Sequence, residues 1–230
     1  MKLYCILVLL ICGHALGNLV RHVRTIDHVD YIISVVSKTV QEIEARQWSN
    51  LKVPDPDPIK IDETVLGWHA KGSVSYTNAF VVSIQGVDLI RQSVGQQVNL
   101  NGNRVARAVL RGTLRLHDVA MGYDVKADLE DGTSFYTVKY IYPLINMDFN
   151  ITKVINGDHI EVTVTGNLLN RRTEPIFMPS DRLSDTLSSL FNPAMSTPGI
   201  IAWGADVFQP IAKRIVTTEI DFPEICYNCA

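Results

Sequence analysis

Across residues 65–169 apolar and polar residues alternate with period two, and no other feature constrains the fold of this chain as strongly. Successive side chains of a strand point to opposite faces, so clean alternation specifies antiparallel strands with one buried and one solvated face. Four stretches show it. Ala106, Ala108, Leu110, Gly112, Leu114 and Leu116 alternate with Arg107, Val109, Arg111, Thr113 and Arg115. Val119, Met121, Tyr123, Val125, Ala127 and Leu129 form a second apolar set, Ile145, Met147, Phe149 and Ile151 a third, and Ile160, Val162, Val164, Gly166 and Leu168 a fourth. Asn101-Gly102-Asn103, Glu130-Asp131-Gly132 and Asn156-Gly157-Asp158 supply turns between them. Residues 72–76 and 79–87 read as earlier, less regular strands. Strands of this length coil, and Gly112, Gly122 and Gly166 mark bends or close backbone approaches, so a strongly curved sheet is expected.

Helices flank the strands. Residues 25–47 carry Ile26, Val29, Ile33, Val36, Val40 and Ile43 at alternating spacings of three and four, the stripe of an amphipathic helix. Asp30, Ser34, Lys38, Gln41 and Glu44 take the other face, and Thr25 or Asp27 is placed to cap the start. At 1.5 Å per residue such a helix is about 35 Å long. The stripe suits a coiled-coil seam or packing on a sheet, and the strands that follow favour the sheet. Val53-Pro54-Asp55-Pro56-Asp57-Pro58 then forces an extended connector. Beyond the strands, Leu183, Leu187, Leu190 and Phe191 share one side of a short helix stopped by Pro193. A second helix begins near Thr197-Pro198 and carries Ile200, Ile201, Trp203, Val207, Phe208, Ile211 and Ile215, with Pro210 expected to kink or split it. The order helix, many strands, helix gives an α+β fold.

Residues 1–17 read as a secretory signal peptide: Met1-Lys2 is a short positive region, residues 3–12 are apolar, and Ala15-Leu16-Gly17 is a small-residue cleavage site. The apolar run is about half the ~20 residues a spanning helix needs. The protein is therefore expected to be secreted, without integral membrane association, with residues 18–230 as a single domain. Removing the signal leaves Cys226 and Cys229 as the remaining cysteines. In an oxidising compartment they read as a small local disulfide, or as a pair bridging to another chain. A formal net charge of -3 argues against a nucleic-acid partner, which calls for a surplus of Lys and Arg. The mean hydropathy of +0.11 is high, and the signal run accounts for only part of it.

Signals for catalysis, metals and cofactors are absent. No serine lies in G-x-S-x-G, no P-loop or G-x-G-x-x-G follows a strand, and His22, His28, His69, His117 and His159 form no H-x-x-x-H pattern. The chain is read as a non-enzyme. Arg107, Arg111 and Arg115 recur every fourth residue on one strand face, about 13 Å apart, and read as a solvated face or as an attraction for anionic head groups or a partner. Asn150-Ile151-Thr152 is an N-glycosylation sequon on a polar strand face. The abundant inward apolar positions point to an ordinary core or to a partly hollow one, because Met121, Met147, Gly112, Ala106, Ala108 and Gly166 leave room that Leu or Phe would fill.

The N-terminal amphipathic helix, the Lys52-Val53-Pro54-Asp55-Pro56 connector, the run from Gly72-Ser73-Val74 through Asn78, Val81, Gly86 and Arg91, and the two strands after it carry a family resemblance. Over about residues 26–219 the chain resembles the mite group 7 allergen family, in the lipid-binding superfamily of bactericidal/permeability-increasing protein and insect juvenile-hormone-binding proteins. The resemblance implies a long curved antiparallel sheet wrapped around the N-terminal helix, with an elongated apolar groove for a lipid-like ligand and no catalytic residue. Hormone-binding relatives have an N-terminal disulfide that residues 18–230 lack, which counts against juvenile hormone as the ligand. The expected function is a secreted carrier of a hydrophobic small molecule or lipid, lined by Ile33, Val36, Val40, Leu110, Leu114, Met121, Met147, Phe149, Val162 and Phe208. The alternative is an innate-immune-type recognition protein that binds microbial lipid or a protein partner through its surface, with the three arginines as its contact.

Overall fold

The computed structural model describes residues 23–46, 55–65, 67–100, 105–167 and 174–227. The expected signal peptide, Lys52-Val53-Pro54 of the connector, the Asn101-Gly102-Asn103 turn, Leu168 and Cys229 lie outside them. In chain order the elements are β1 (Val23–Thr25), α1 (His28–Ala45), β2 (Ile59–Val65), β3 (Trp68–Ser83), β4 (Gly86–Leu100), β5 (Ala106–Leu129), β6 (Gly132–Val154), β7 (Ile160–Asn167), β8 (Ile176–Met178), α2 (Arg182–Leu190), α3 (Thr197–Trp203), α4 (Gln209–Thr218) and β9 (Ile225–Tyr227). The fold is α+β and is dominated by one antiparallel sheet of seven strands, in the order β2-β3-β5-β6-β7 with β4 also on β5 and β8 also on β6.

Period two organises this sheet around a ribbon of β5 and β6, which pair from Arg107 opposite Val154 to Leu129 opposite Gly132. The other edge of β5 is shared end to end: β4 lies along residues 106–117 and β3 along residues 120–129. Residues 79–87, expected as one strand, therefore straddle a junction. The backbone steps aside at Ile84 and Gln85, and the Gln85 N–H donates to the His117 carbonyl at 3.0 Å. Compared with β5, this edge carries one extra residue between Thr77 and Phe80, one between Val81 and Ser83, and three between Ile90 and Gly95. Ser93 repairs the largest bulge. Its hydroxyl donates to the Ile90 carbonyl at 2.6 Å and accepts from the Thr113 N–H at 2.7 Å, replacing ladder bonds that the bulge removes.

The first two alternating stretches form a single strand whose phase reverses within it. Leu110, Leu114 and Leu116 are buried at even positions of β5, but Val119, Met121, Tyr123, Val125 and Ala127 are buried at odd ones. In β6 the buried set changes from Tyr136, Val138, Tyr140 and Tyr142 to Ile145, Met147, Phe149 and Ile151. Both reversals occur at the same rung. Asp118 has φ 46°, a left-handed geometry that re-aims the side chains after it. Pro143, facing it, has no N–H to lose at the interrupted rung. Both halves still meet the same helical layer: the Tyr142 hydroxyl donates to the Pro193 carbonyl, and Met147 closes over Gly204.

The N-terminal helix is shorter than the expected residues 25–47. α1 has 18 residues, about 27 Å at 1.5 Å per residue. Strand pairing sets its start, because Thr25 is opposite Ile225 in a two-stranded sheet of β1 and β9. Neither Thr25 nor Asp27 caps the helix: Asp27 takes φ 50° and its side chain makes no capping bond. The buried face consists of Tyr31, Ile32, Val35, Val36 and Thr39, turned from the expected stripe, so that Ile26 is 40% exposed and Ile33 and Val40 lie half-buried on the flank. α1 packs on β4 and β5 and also on α4, and two partners cover a wider arc than a coiled-coil seam. An ion cluster joins the helices at the surface. Lys38 contacts Glu219 at 2.6 Å, and Arg214 bonds both Glu42 and Glu219.

α2 begins at a reciprocal cap. Asp181 accepts the Ser184 N–H at 2.7 Å while the Ser184 hydroxyl accepts the Asp181 N–H at 2.8 Å. Burial works to raise the Asp181 pKa, but hydrogen bonds from Ser184, Leu183 and the Tyr136 hydroxyl outweigh it and hold the carboxyl below its ordinary range. Pro210 falls in the first turn of α4, so the pattern that begins near Thr197 is split just before it, as expected. A wide turn of the π type, Gly204–Phe208, links α3 to α4 and gives space for a ring that would otherwise crowd the carbonyl four residues earlier. Trp203, Val207, Phe208, Ile211 and Ile215 are thereby all buried on the sheet side.

Candidate functional site: a groove between helix and edge strand

Among the described residues, the interior positions where small residues and methionines were expected to leave room are close-packed. Leu110, Leu114, Met121, Met147, Phe149 and Phe208 are wholly buried, and Val162 is 1% exposed. A Cβ at Gly112 would sit 2.9 Å from Leu89 Cδ1, with Val94 and Ile32 behind it, and one at Gly166 would sit 3.2 Å from Ile201. The room a glycine leaves is taken by a neighbour's side chain, as close packing requires. These seven expected lining residues are core.

The other three come together. Ile33, Val36 and Val40 line a groove of about 350 Å³ between α1 and β4. It lies where the buried face, ending at Val36, gives way to Ile33 and Val40 on the flank, next to a strand that pairs only with β5 in the seven-stranded sheet among the described residues. Val87 and Leu89 of β4 supply the opposite apolar wall, and Ser37, Gln41, Asp88 and Arg91 form a polar rim. Arg91 belongs to the three-residue bulge that Ser93 fastens. The volume lies at the small end of the ~300–1,000 Å³ typical of ligand sites, and the combination of apolar walls with a few polar groups is what such sites share. The arrangement suits a hydrocarbon segment in the groove with a polar group at the rim.

Sequence reasoning missed the β4 wall. Val87 and Leu89 alternate with Asp88, but three residues only are too short a pattern to read when the strand boundary itself is misplaced.

The surface arginines are less exposed than expected. Arg111 is exposed while Arg107 and Arg115 are half-buried. Carboxylates share their face: Asp88 is directly opposite Arg115, Asp148 is opposite Thr113, and Glu161 is opposite Thr152. Three cations interleaved with three carboxylates do not make a basic patch. Asn150 is half-buried on this face, between Arg111 and Thr163. Cys226 lies in β9 opposite Arg24, and its expected pairing with Cys229 extends beyond the described residues. Among the described residues no three His, Cys, Asp or Glu side chains are grouped to hold a metal ion, and no helix is long and apolar enough to cross a membrane. The chain matches no model of a known protein family and no curated protein.

Proposed function

We propose that the chain is a secreted, non-enzymatic carrier of a hydrophobic small molecule or lipid, held between α1 and the sheet. The apolar groove of Ile33, Val36, Val40, Val87 and Leu89 carries this reading. The extra residues on the β3–β4 edge support it: an edge longer than its partner strand must coil, and we read the sheet as curving around α1. The resemblance to the mite group 7 allergen family fits the same reading. Secretion, a local Cys226–Cys229 disulfide and a glycan on Asn150 belong to the proposal as well.

Burial of the ligand's hydrocarbon drives affinity at about 25 cal/mol per Å² before ordering costs. The test is native mass spectrometry of gently purified protein together with titration of a fluorescent fatty acid. A co-purified apolar molecule and saturable probe binding are expected. Ile33→Trp and Leu89→Trp, each filling the groove, should abolish probe binding with the circular dichroism unchanged. A ligand-free protein that binds no fatty-acid probe overturns the reading.

A further inference from the structure

A second concavity lies at the other end of the sheet, on the solvent face, and has no part in the carrier site. One rung of the ladder sets out its floor: Thr77 is opposite Asp124, Asp124 opposite Thr137, and Thr137 opposite Met178. Phe135, two residues before Thr137 on the same face, stands 68% exposed, as does Met178. Together with Asn78 these residues line a cleft of about 730 Å³, well within the range of small-ligand sites.

The polar groups are held in place before any ligand arrives. Asn78 sits in the bulge between Thr77 and Phe80 with φ 52°, a conformation asparagine tolerates better than most residues. The following N–H, of Ala79, is fastened to Asp55 Oδ1 at 3.1 Å. So aimed, Asn78 Nδ2 donates to Asp124 Oδ2 at 2.9 Å. That bond fixes the planes of both groups and leaves Asp124 Oδ1 and the Asn78 carbonyl as oriented acceptors beside the Thr137 hydroxyl. The one lysine in the cleft, Lys126, is held by Asp128 at 2.6 Å.

A carboxylate bonded to a neutral amide, beside a lysine held by another carboxylate, disfavours anions and anionic lipid surfaces. Fixed acceptors and a hydroxyl are wasted on a hydrocarbon, since burying them without partners costs free energy. What matches is a molecule with an apolar C–H face for the Phe135 ring and a rim of hydroxyl donors for Asp124 and Asn78. We propose that this cleft binds a saccharide, stacked on Phe135 and hydrogen-bonded to the Asp124–Asn78 pair.

The test is an NMR titration of the full chain with three probes, cellotetraose, mannotetraose and triacetylchitotriose. At least one is expected to shift the amides of Asn78, Asp124, Phe135 and Thr137. Asp124→Asn should weaken that binding about tenfold, the loss expected for one hydrogen bond to a charged acceptor. Phe135→Ser, at an exposed position where the fold has little at stake, should abolish the stacking shifts. Both variants should bind the fatty-acid probe like the parent chain, so failure of the carrier reading and failure of this one are separate results. The proposal is overturned if no probe shifts these amides, if the shifts fall elsewhere, or if Phe135→Ser binds the responsive saccharide unchanged. It is also overturned if Phe135→Ser dissociates a dimer of a chain that binds no probe, which would make the cleft a protein contact.

Discussion

The two halves of the β5–β6 ribbon are buried with different side chains. In the half formed by residues 106–117 and 144–154, the buried set is Leu110, Leu114, Leu116, Ile145, Met147, Phe149 and Ile151. In the other half Tyr76, Tyr123 and Tyr140 gather around Phe191, which is 5.8 Å from Tyr76 and 5.1 Å from Tyr140 between ring centroids, while Tyr142 meets Tyr140 and Tyr136 meets Phe177. Aliphatic surfaces constrain volume but not direction, so α1 rests there on shape alone and leaves a groove at its flank. Hydroxyls impose direction. Tyr136 donates to Asp181 at 2.8 Å and Tyr142 to the Pro193 carbonyl, which pins the start of α2 and the turn before α3. The adaptable end is where the carrier site is proposed, and the pinned end backs the rigid cleft.

The contrast is broken most forcefully at Phe149, which is wholly buried and meets Phe208 edge-to-face at 5.6 Å between centroids. Phe149→Ala is expected to cost about 3–5 kcal/mol in urea unfolding, the transfer and cavity terms together. A loss below about 1 kcal/mol would mean that the aliphatic half collapses freely, and the distinction between the halves would go. The junction comes next. Asp118→Val places a β-branched residue at φ 46° and should cost about 1–3 kcal/mol. If it is neutral by the same measurement, the phase reversal does not depend on that residue.

How far these features were legible follows from how local they are. Period two named the buried residues on both sides of Asp118, because alternation is a property of neighbours. It did not show that the two stretches are one strand, since a phase reversal looks the same as a strand boundary. Pro143 hid the first half of β6 in the same way: a proline argues against a central strand unless the facing rung needs no donor from it. Of the helix stripe, Val36 was read correctly as buried, but Ile33 and Val40 lie off the centre of the buried face, because the second partner, α4, is about 170 residues away in sequence. That displacement of Ile33 and Val40 to the flank, beside the buried Val36, is what opens the groove these three line. The core placement of the other seven candidates was not readable from small residues, since which neighbour fills a glycine's space is a tertiary fact.

Alkaline pH probes the aromatic half without altering a residue. Burial, with Tyr123 nearby, pushes Tyr76 up to about 12. Burial, with the bond to Asp181, pushes Tyr136 up to about 12 as well, from an ordinary value of 10.0. Below pH 10 both states keep these protons and the stabilisation is complete. As pH rises from 10 to 12, the unfolded chain has released protons that the folded one retains, so stability falls through that window. Circular dichroism should show unfolding there, together with tyrosinate absorbance near 295 nm, and Tyr76→Phe should move the transition upward. Reversible titration of all tyrosines near pH 10 in a folded protein would remove the directional character claimed for this half.

The smallest expected effect is at the surface of the aliphatic half, where Arg214 bonds Glu42 and Glu219. These groups are solvent-accessible, so the pairs are screened and side-chain ordering offsets much of the attraction. Hydrogen bonds from Lys38 and Arg214 hold the Glu219 pKa below its ordinary value, so this contribution is present at neutral pH and is lost as pH falls through the lowered value. Arg214→Ala should lower the melting temperature slightly at low ionic strength and hardly at all in about 1 M NaCl, where charges interact over only about 3 Å. The loss at Phe149→Ala should not shrink in salt in this way, because apolar burial carries no charge to screen. An Arg214→Ala loss as large as that at Phe149, and indifferent to salt, would mean that ionic bonds hold α1 in place, and the groove beside it would then owe its shape to them.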